Sequence, residues 1–353
     1  MPSHFVRAIA AALALGGPYI AYAQGYPTRP VTMVMPYAAG GPGDTVTRIF
    51  AQAMTKTLGQ SVIVENPSGA GGTIGSNRIA KSKPDGYNLL MIHISHATSL
   101  ALYKQLPYHP VNDFDPIGLV AEVPMTFVAR KDFPPKDLNE FLTYIKANKN
   151  KVTYGNAGIG SASHLCGLLF MSAMQTEVTT VPYKGTGPAM NDLMGGQFDF
   201  MCDQTTNTVP PIRSGKIKVY AVASKGRLAA LPDTPALSQS GLPGFEISIA
   251  YGVYAPKGLA RPVTDKLVAV LQEAVKDAAV RTRLADLGAE SVSPERARPD
   301  ALRAHLKAEI DKFGPIIRQA GVFADGRDNK VKPVLFAWRA PVKRARAARR
   351  PRS

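Results

Sequence analysis

Apolar and polar positions follow two rhythms along this chain, and the switches between them mark strands giving way to helices. Residues 31–35 form a short apolar run suited to a buried strand. The run enters Pro36-Tyr-Ala-Ala-Gly-Gly-Pro-Gly-Asp44, after which Val46, Ile49, Phe50, Ala53 and Leu58 recur at helical spacing. Residues 61–65 predict a second strand. Asn66-Pro-Ser-Gly-Ala-Gly-Gly72 turns that strand into a helix reaching Ala80. Pro84-Asp-Gly86 is a turn, and residues 87–94 predict a third strand. Strands alternating with helices in this way specify a mostly parallel sheet covered on both faces.

The pattern then restarts. Residues 116–129 read as a strand, 137–148 as a helix and 151–155 as a strand. A Gly/Ser loop over 156–163 opens a helix near His164. Further strands are predicted at 178–182, 198–202 and 218–223, with a helix over 186–194 closed by Gly195-Gly196. A strand over 246–254 is followed by three helices, at 262–277, 280–287 and 299–319. Pro262 suits the first helical position and Gly288 a left-handed cap. Three tandem helices cannot complete a parallel sheet, so they are expected to pack back on the first unit. The chain would then cross between two α/β lobes twice, near 120–128 and 245–252, and paired crossing strands form a hinge. The expected division is 24–124 and 249–321 for one lobe and 125–248 for the other. Roughly 300 residues also exceed what one compact core usually holds.

Residues 1–23 read as a cleavable signal peptide. Arg7 is the positive residue, residues 8–15 the apolar segment, and Ala21-Tyr22-Ala23 the cleavage site, giving a mature start at Gln24 and export to the periplasm. Gln24 in place of a cysteine argues against a lipid anchor. The formal charge of +16 resembles a nucleic-acid signal, but residues 330–353 hold nine Lys/Arg and no acid, so little of it belongs to the fold. The basic stretch 322–353 is expected to be a disordered extension, and no nucleic-acid partner is expected. Cys166 and Cys202 are the two cysteines. An oxidising compartment permits a bridge, and two buried free thiols are the alternative.

Ligands of open α/β sheets sit beyond the carboxyl ends of strands. The loops 36–44 and 156–164 occupy such ends, one in each expected lobe. Each is Gly-rich and opens a helix, so its backbone N–H groups can receive a carboxylate or phosphate. Asp44 opposes a bare anion; it could hold an ammonium group or orient water, and an ordinary first-turn acid is the equal alternative.

Ordered along the chain are Tyr26-Pro-Thr-Arg-Pro-Val31, Pro36-Tyr-Ala-Ala-Gly-Gly-Pro-Gly-Asp-Thr-Val-Thr-Arg48, Val64-Glu-Asn-Pro-Ser-Gly-Ala-Gly-Gly72 and Lys83-Pro-Asp-Gly-Tyr87. Leu106-Pro-Tyr108, Asn112-Asp-Phe114, residues 154–165, Val181-Pro-Tyr-Lys-Gly185 and Gly195-Gly-Gln-Phe-Asp199 follow. Together they resemble the Bug (TctC-like) family of solute-binding receptors associated with tripartite tricarboxylate transport, over residues 26–321. The resemblance implies a two-lobed periplasmic-binding-protein, or Venus-flytrap, fold whose two Gly-rich loops grip a ligand carboxylate, partly through ordered water. Carried onto this chain, one loop contributes Tyr37, Ala38, Ala39 and Asp44, and the other Asn156, Gly158, Gly160, Ser161 and His164. Ser95 and His96, placed at the end of a first-lobe strand, and Lys184, Gly185, Thr186 and Asp203 at second-lobe strand ends complete the set. Tyr37 stands where the family often has Phe or Pro, and Asn156 where it often has a small hydroxyl residue.

The implied partners are a small organic acid and membrane transporter subunits, or a sensor kinase in their place, with the receptor itself monomeric. The scarcity of cleft arginines makes a tricarboxylate less attractive than a smaller acid. A hydrolase would need Ser161 or Ser163 with His164, but no G-x-S-x-G elbow and no orienting acid accompany them. No Cys/His set has metal-ligand spacing, and Gly69-Ala-Gly-Gly-Thr-Ile-Gly75 lacks dinucleotide-binding spacing. No cofactor, metal or catalytic activity is expected.

Overall fold

The computed structural model describes residues 25–320 and Ala324. The signal segment, its cleavage site and almost all of the basic extension lie outside the described residues.

Strand β1 (Val31–Val34) leads through the first Gly-rich loop into α1 (Pro42–Leu58). Pro42 sits in the first turn with Asp44, and Gly59 ends the helix in the left-handed region, its N–H returning to Thr55 O. The face Val46, Ile49, Phe50, Ala53 is buried, as its spacing requires. Next come β2 (Val62–Glu65), a 3-10 turn (Ala70–Gly72), α2 (Thr73–Ala80), β3 (Asn88–Ile92) and α3 (Ser95–Leu102). The expected third strand thus stops at Ile92. Ser95 and His96, expected at a strand end, instead open a helix over 95–102 that is almost wholly buried.

Strand β4 (Phe114–Arg130) has 17 residues and spans about 55 Å, more than one lobe needs. It is followed by α4 (Leu138–Ala147), whose cap Asp137 accepts from Glu140 N, and then by β5 (Thr153–Asn156). Helix α5 (Ala162–Met174), β6 (Thr179–Pro182), α6 (Thr186–Met194) and β7 (Phe200–Gln204) follow. Helix α7 (Thr205–Arg213), unforeseen because it contains Pro210 and Pro211, leads to β8 (Ile217–Val222) and the short α8 (Leu237–Ser240). Strand β9 (Ser248–Pro256), α9 (Arg261–Lys276), α10 (Ala278–Asp286), β10 (Glu290–Ser291) and α11 (Pro299–Ala320) complete the fold.

Two crossing strands join two sheets. On one side β2, β1 and β3 run parallel, and β9 and β4 continue the sheet antiparallel. On the other, β6, β5 and β7 run parallel, and both β7 and β8 lie antiparallel to the second half of β4. The partner of β4 changes between Pro124, opposite Ser248 of β9, and Met125, opposite Gln204 of β7. The returning chain meets it there: Ile247 N donates to Ala223 O at 2.9 Å and Ala223 N to Met125 O at 2.7 Å. The outer strands are parallel because helices connect them. The central pair is antiparallel because the chain goes out along one strand and back along the other.

Helices α9, α10 and α11 pack on α1, α3 and the first half of β4, so the C-terminal helices cover the first lobe. Helix α9 buries Leu267, Val270, Leu271, Ala274 and Val275, a stripe at helical spacing. In the other lobe an aromatic cluster fills the core, with Phe141 stacked on Tyr220 at 4.3 Å and Phe127 against Phe170 at 4.6 Å. Cys166 of α5 and Cys202 of β7 form a disulfide with Cα atoms 6.1 Å apart. It fastens the helix opened by the second Gly-rich loop to the strand beside it.

Candidate ligand-binding site

The first loop is held from behind. Asn66 Nδ2 donates to Tyr37 O at 3.0 Å, and the Tyr37 hydroxyl donates to Gly71 O at 2.8 Å. Asp44 accepts from Gly40 N and from Arg48 Nε, both at 3.0 Å, through one oxygen. The second loop is built likewise. Asn156 Oδ1 accepts from Gly158 N at 2.8 Å, Ser163 Oγ from Ala157 N at 2.8 Å, and Ser161 Oγ from His164 N at 3.2 Å. Gly158 and Gly160 both have positive φ, which folds the chain back into α5. The imidazole of His164 accepts from Gly160 N through Nδ1, so it braces the loop and makes no bond to a serine hydroxyl. Burial holds its pKa down to about 4.

The two loops meet. Ala38 N donates to Lys184 O at 3.4 Å, and Thr98 Oγ1 of α3 donates to Gly160 O at 3.3 Å. A Cβ on Gly71 would overlap the carbonyl oxygen of Ile159 in the opposite loop. A Cβ on Gly187 would lie 3.0 Å from Ala39 O, Gly40 C and Gly41 N. Backbone therefore touches backbone across the cleft, which only glycine permits.

Between the loops lies a narrow cavity of about 20 Å³, the room of about one water. Its walls include Gly41 to Gly43, Ser161 to Ser163, Thr186 and Gln204. These are the N-terminal ends of α1, α5, α6 and α7, one helix from the first lobe and three from the second. Each end carries the positive pole of its helix, so the four together favour a small anion. His93 and Tyr37 close the first-lobe side, stacked at 5.0 Å. His93 Nδ1 accepts from Ser95 N at 3.3 Å. Burial pushes its pKa down to about 3, so the ring is neutral with its proton on Nε2.

Of the residues singled out in the sequence, Tyr37, Ala38, Ser161, Thr186 and Asp203 line this cavity. Ala39 faces a wider outer groove of about 810 Å³ beside Gly187. Gly158 and Lys184 line a second opening of about 270 Å³ on the far side of Tyr37. Asn156, Gly160 and His164 shape the second loop, and Gly185 caps α6. Asp44 lies behind the first loop. Ser95 starts α3 and supplies its N–H to His93. His96 does not reach the cleft: it packs against Tyr108, Phe114 and Tyr254, with Nε2 3.1 Å from Pro110 O. Residues 95–102 form α3 rather than a strand end, and on that helix His96 is buried in the core. His93, Gln204 and Ser163 were not singled out as binding residues. The rule that ligands sit at strand carboxyl ends would have found His93 after β3 and Gln204 ending β7. Among the described residues no His, Cys, Asp and Glu cluster could hold a metal, and no helix is long and apolar enough to cross a membrane.

The family model described as the tripartite tricarboxylate transporter family receptor matches residues 46–322. A UPF0065 protein from the TAR-I ttuE-ttuC' intergenic region of Agrobacterium vitis is 47% identical over 322 residues, 91% of this chain and 92% of that one. The periplasmic binding protein BugD superposes with a TM-score of 0.82 at 50% identity, over 84% of this chain and 99% of its own. MatC of Rhodopseudomonas palustris, solved with bound malate, gives 0.79 at 42% identity, over 83% of this chain and all (100%) of its own. These structural neighbours are binding proteins rather than enzymes. The chain belongs to the tripartite tricarboxylate transporter receptor family, whose members are extracytoplasmic solute-binding proteins.

Proposed function

We propose that this protein captures a small organic acid between its two lobes, 24–124 with 249–321 and 125–248, in the periplasm and presents it to the membrane subunits of a tripartite transporter. The observation that carries this reading is the convergence of four helix N-termini from both lobes on one narrow cavity. A carboxylate reaching both loops is bound better by the closed form than by either lobe alone, so closure follows from differential affinity. The malate bound by MatC supports a ligand of similar size and chemistry. The structure is closed more tightly than such a ligand allows, so a solute would hold the loops slightly further apart.

The test is thermal denaturation of protein stripped of ligand by refolding, against a panel of small organic acids and their amides. At about a hundred times its dissociation constant a ligand adds about 2.7 kcal/mol, a plain rise in midpoint. A rise with an acid and none with its amide supports the assignment. A folded protein that responds to no acid removes it.

A further inference from the structure

Several groups lining the cavity can donate hydrogen bonds. Helix ends contribute backbone N–H groups, and His93 contributes Nε2–H. Gln204 contributes its amide nitrogen, because its oxygen accepts from the Tyr251 hydroxyl at 2.7 Å. One wall does the opposite. Asp203, 1% exposed, ends β7 and faces the same cavity. Its Oδ2 accepts from Asn207 Nδ2 at 2.5 Å, while its Oδ1 is fully buried with no hydrogen-bond partner. Burial without a countercharge pushes this carboxyl up to about 6, against the opposing bonds from Asn207, Gln204 N and Thr186. Neither Lys nor Arg is among the residues lining the cavity. An unpartnered buried carboxylate oxygen is costly. A donor group arriving with the solute would satisfy it.

We infer that the bound acid carries a hydroxyl or ammonium group close to its carboxylate, and that Asp203 Oδ1 accepts a hydrogen bond from that group. This rests on the receptor reading above. The carboxylate meets the helix ends, and the neighbouring donor meets Asp203, which lines the same cavity as those ends. The site then selects a hydroxy or amino acid over the plain acid of the same skeleton. The unsubstituted acid leaves Oδ1 unpaired when the cleft shuts.

The experiment is calorimetric titration of the stripped protein at pH 7.5 with matched sets: succinate, malate and aspartate; glutarate, 2-hydroxyglutarate and glutamate; propionate, lactate and alanine. In whichever set binds, the substituted acid is expected to bind at least about tenfold tighter than the plain one, the range for a hydrogen bond to a charged group. Hydroxy against amino members separates the two donors. In Asp203→Asn the amide oxygen takes the Asn207 bond and the NH2 turns to the cavity, so the preference should fall below about threefold as the plain acid gains. Asp203→Ser, smaller and uncharged, serves if the amide variant does not fold, with the same narrowing expected. A plain acid that binds as tightly as its substituted partners, or variants that keep the full preference, overturns the inference while leaving the receptor reading intact. Failure of every acid to bind overturns both.

Discussion

Gly187, in the first turn of α6, offers a perturbation whose two effects have opposite sign. Its φ is not in the left-handed region, so alanine fits its backbone. Within α6 the change is neutral to favourable, by up to about 1 kcal/mol on helix propensity. Across the cleft the new methyl meets Ala39 O, Gly40 C and Gly41 N, each 3.0 Å away. Those are backbone atoms of the first loop and cannot rotate aside. Ordinary contact distances require the loops to part by several tenths of an ångström. Overpacking of this kind costs about 1–3 kcal/mol, paid by the closed form alone. The apparent dissociation constant should therefore rise roughly 5- to 150-fold, because binding must now overcome that closure penalty. Urea denaturation of the ligand-free variant should show unchanged or slightly raised stability. Calorimetry with the acid giving the largest thermal shift should show the weakened affinity, with Gly187→Leu weaker still. Gly196→Ala, at a glycine with nothing within 4 Å, should leave affinity untouched. If Gly187→Ala and Gly187→Leu both bind like the parent, the contact between α6 and the first loop has no part in the liganded state, and the reasoning fails.

Further expectations concern stability. The Cys166–Cys202 bridge closes a sequence separation of 36, so replacing both cysteines by alanine should cost about 4 kcal/mol in urea titration; a loss below about 1 kcal/mol would show that the bridge constrains little. Acid should destabilise the fold through its buried histidines: His93 and His96 are depressed to about 3 and His164 to about 4, so the unfolded chain takes up protons first, and stability present above about pH 6.5 is lost as pH falls, by roughly 2 kcal/mol each at pH 5. Asp203, raised to about 6, acts with the opposite sign and returns only about 1 kcal/mol over that range, so the melting midpoint should drop clearly from pH 6.5 to 5; a flat or rising midpoint would contradict the burial of these rings. Phe141→Ala, at a fully buried ring stacked on Tyr220, should cost about 3–5 kcal/mol without altering affinity in protein that remains folded.

The sequence by itself determined the alternation of strands and helices, because burial of one helix face or one strand run is written locally in residue spacing. Val46, Ile49, Phe50 and Ala53 are buried for the reason their spacing gives. It also located the two glycine-rich loops at strand ends, and the ordered segments pointed to the family that the comparisons establish. Where local signals conflicted, the tertiary structure decided. Residues 95–102 became a helix buried against α11, and α7 formed despite two prolines. The inner strands turned out antiparallel because β4 and β9 carry the chain out of one lobe and back. The pairing of Cys166 with Cys202 depended on a Cα distance that no spacing encodes. The site depended most on the third dimension. His93, Asp203 and Gln204 share a cavity with the ends of α1, α5 and α6 only because the lobes close on one another. The unpaired oxygen of Asp203 exists only when every neighbour is in place. Periodicity reports which face of an element is buried, whereas a cavity is the space left between elements far apart in the chain.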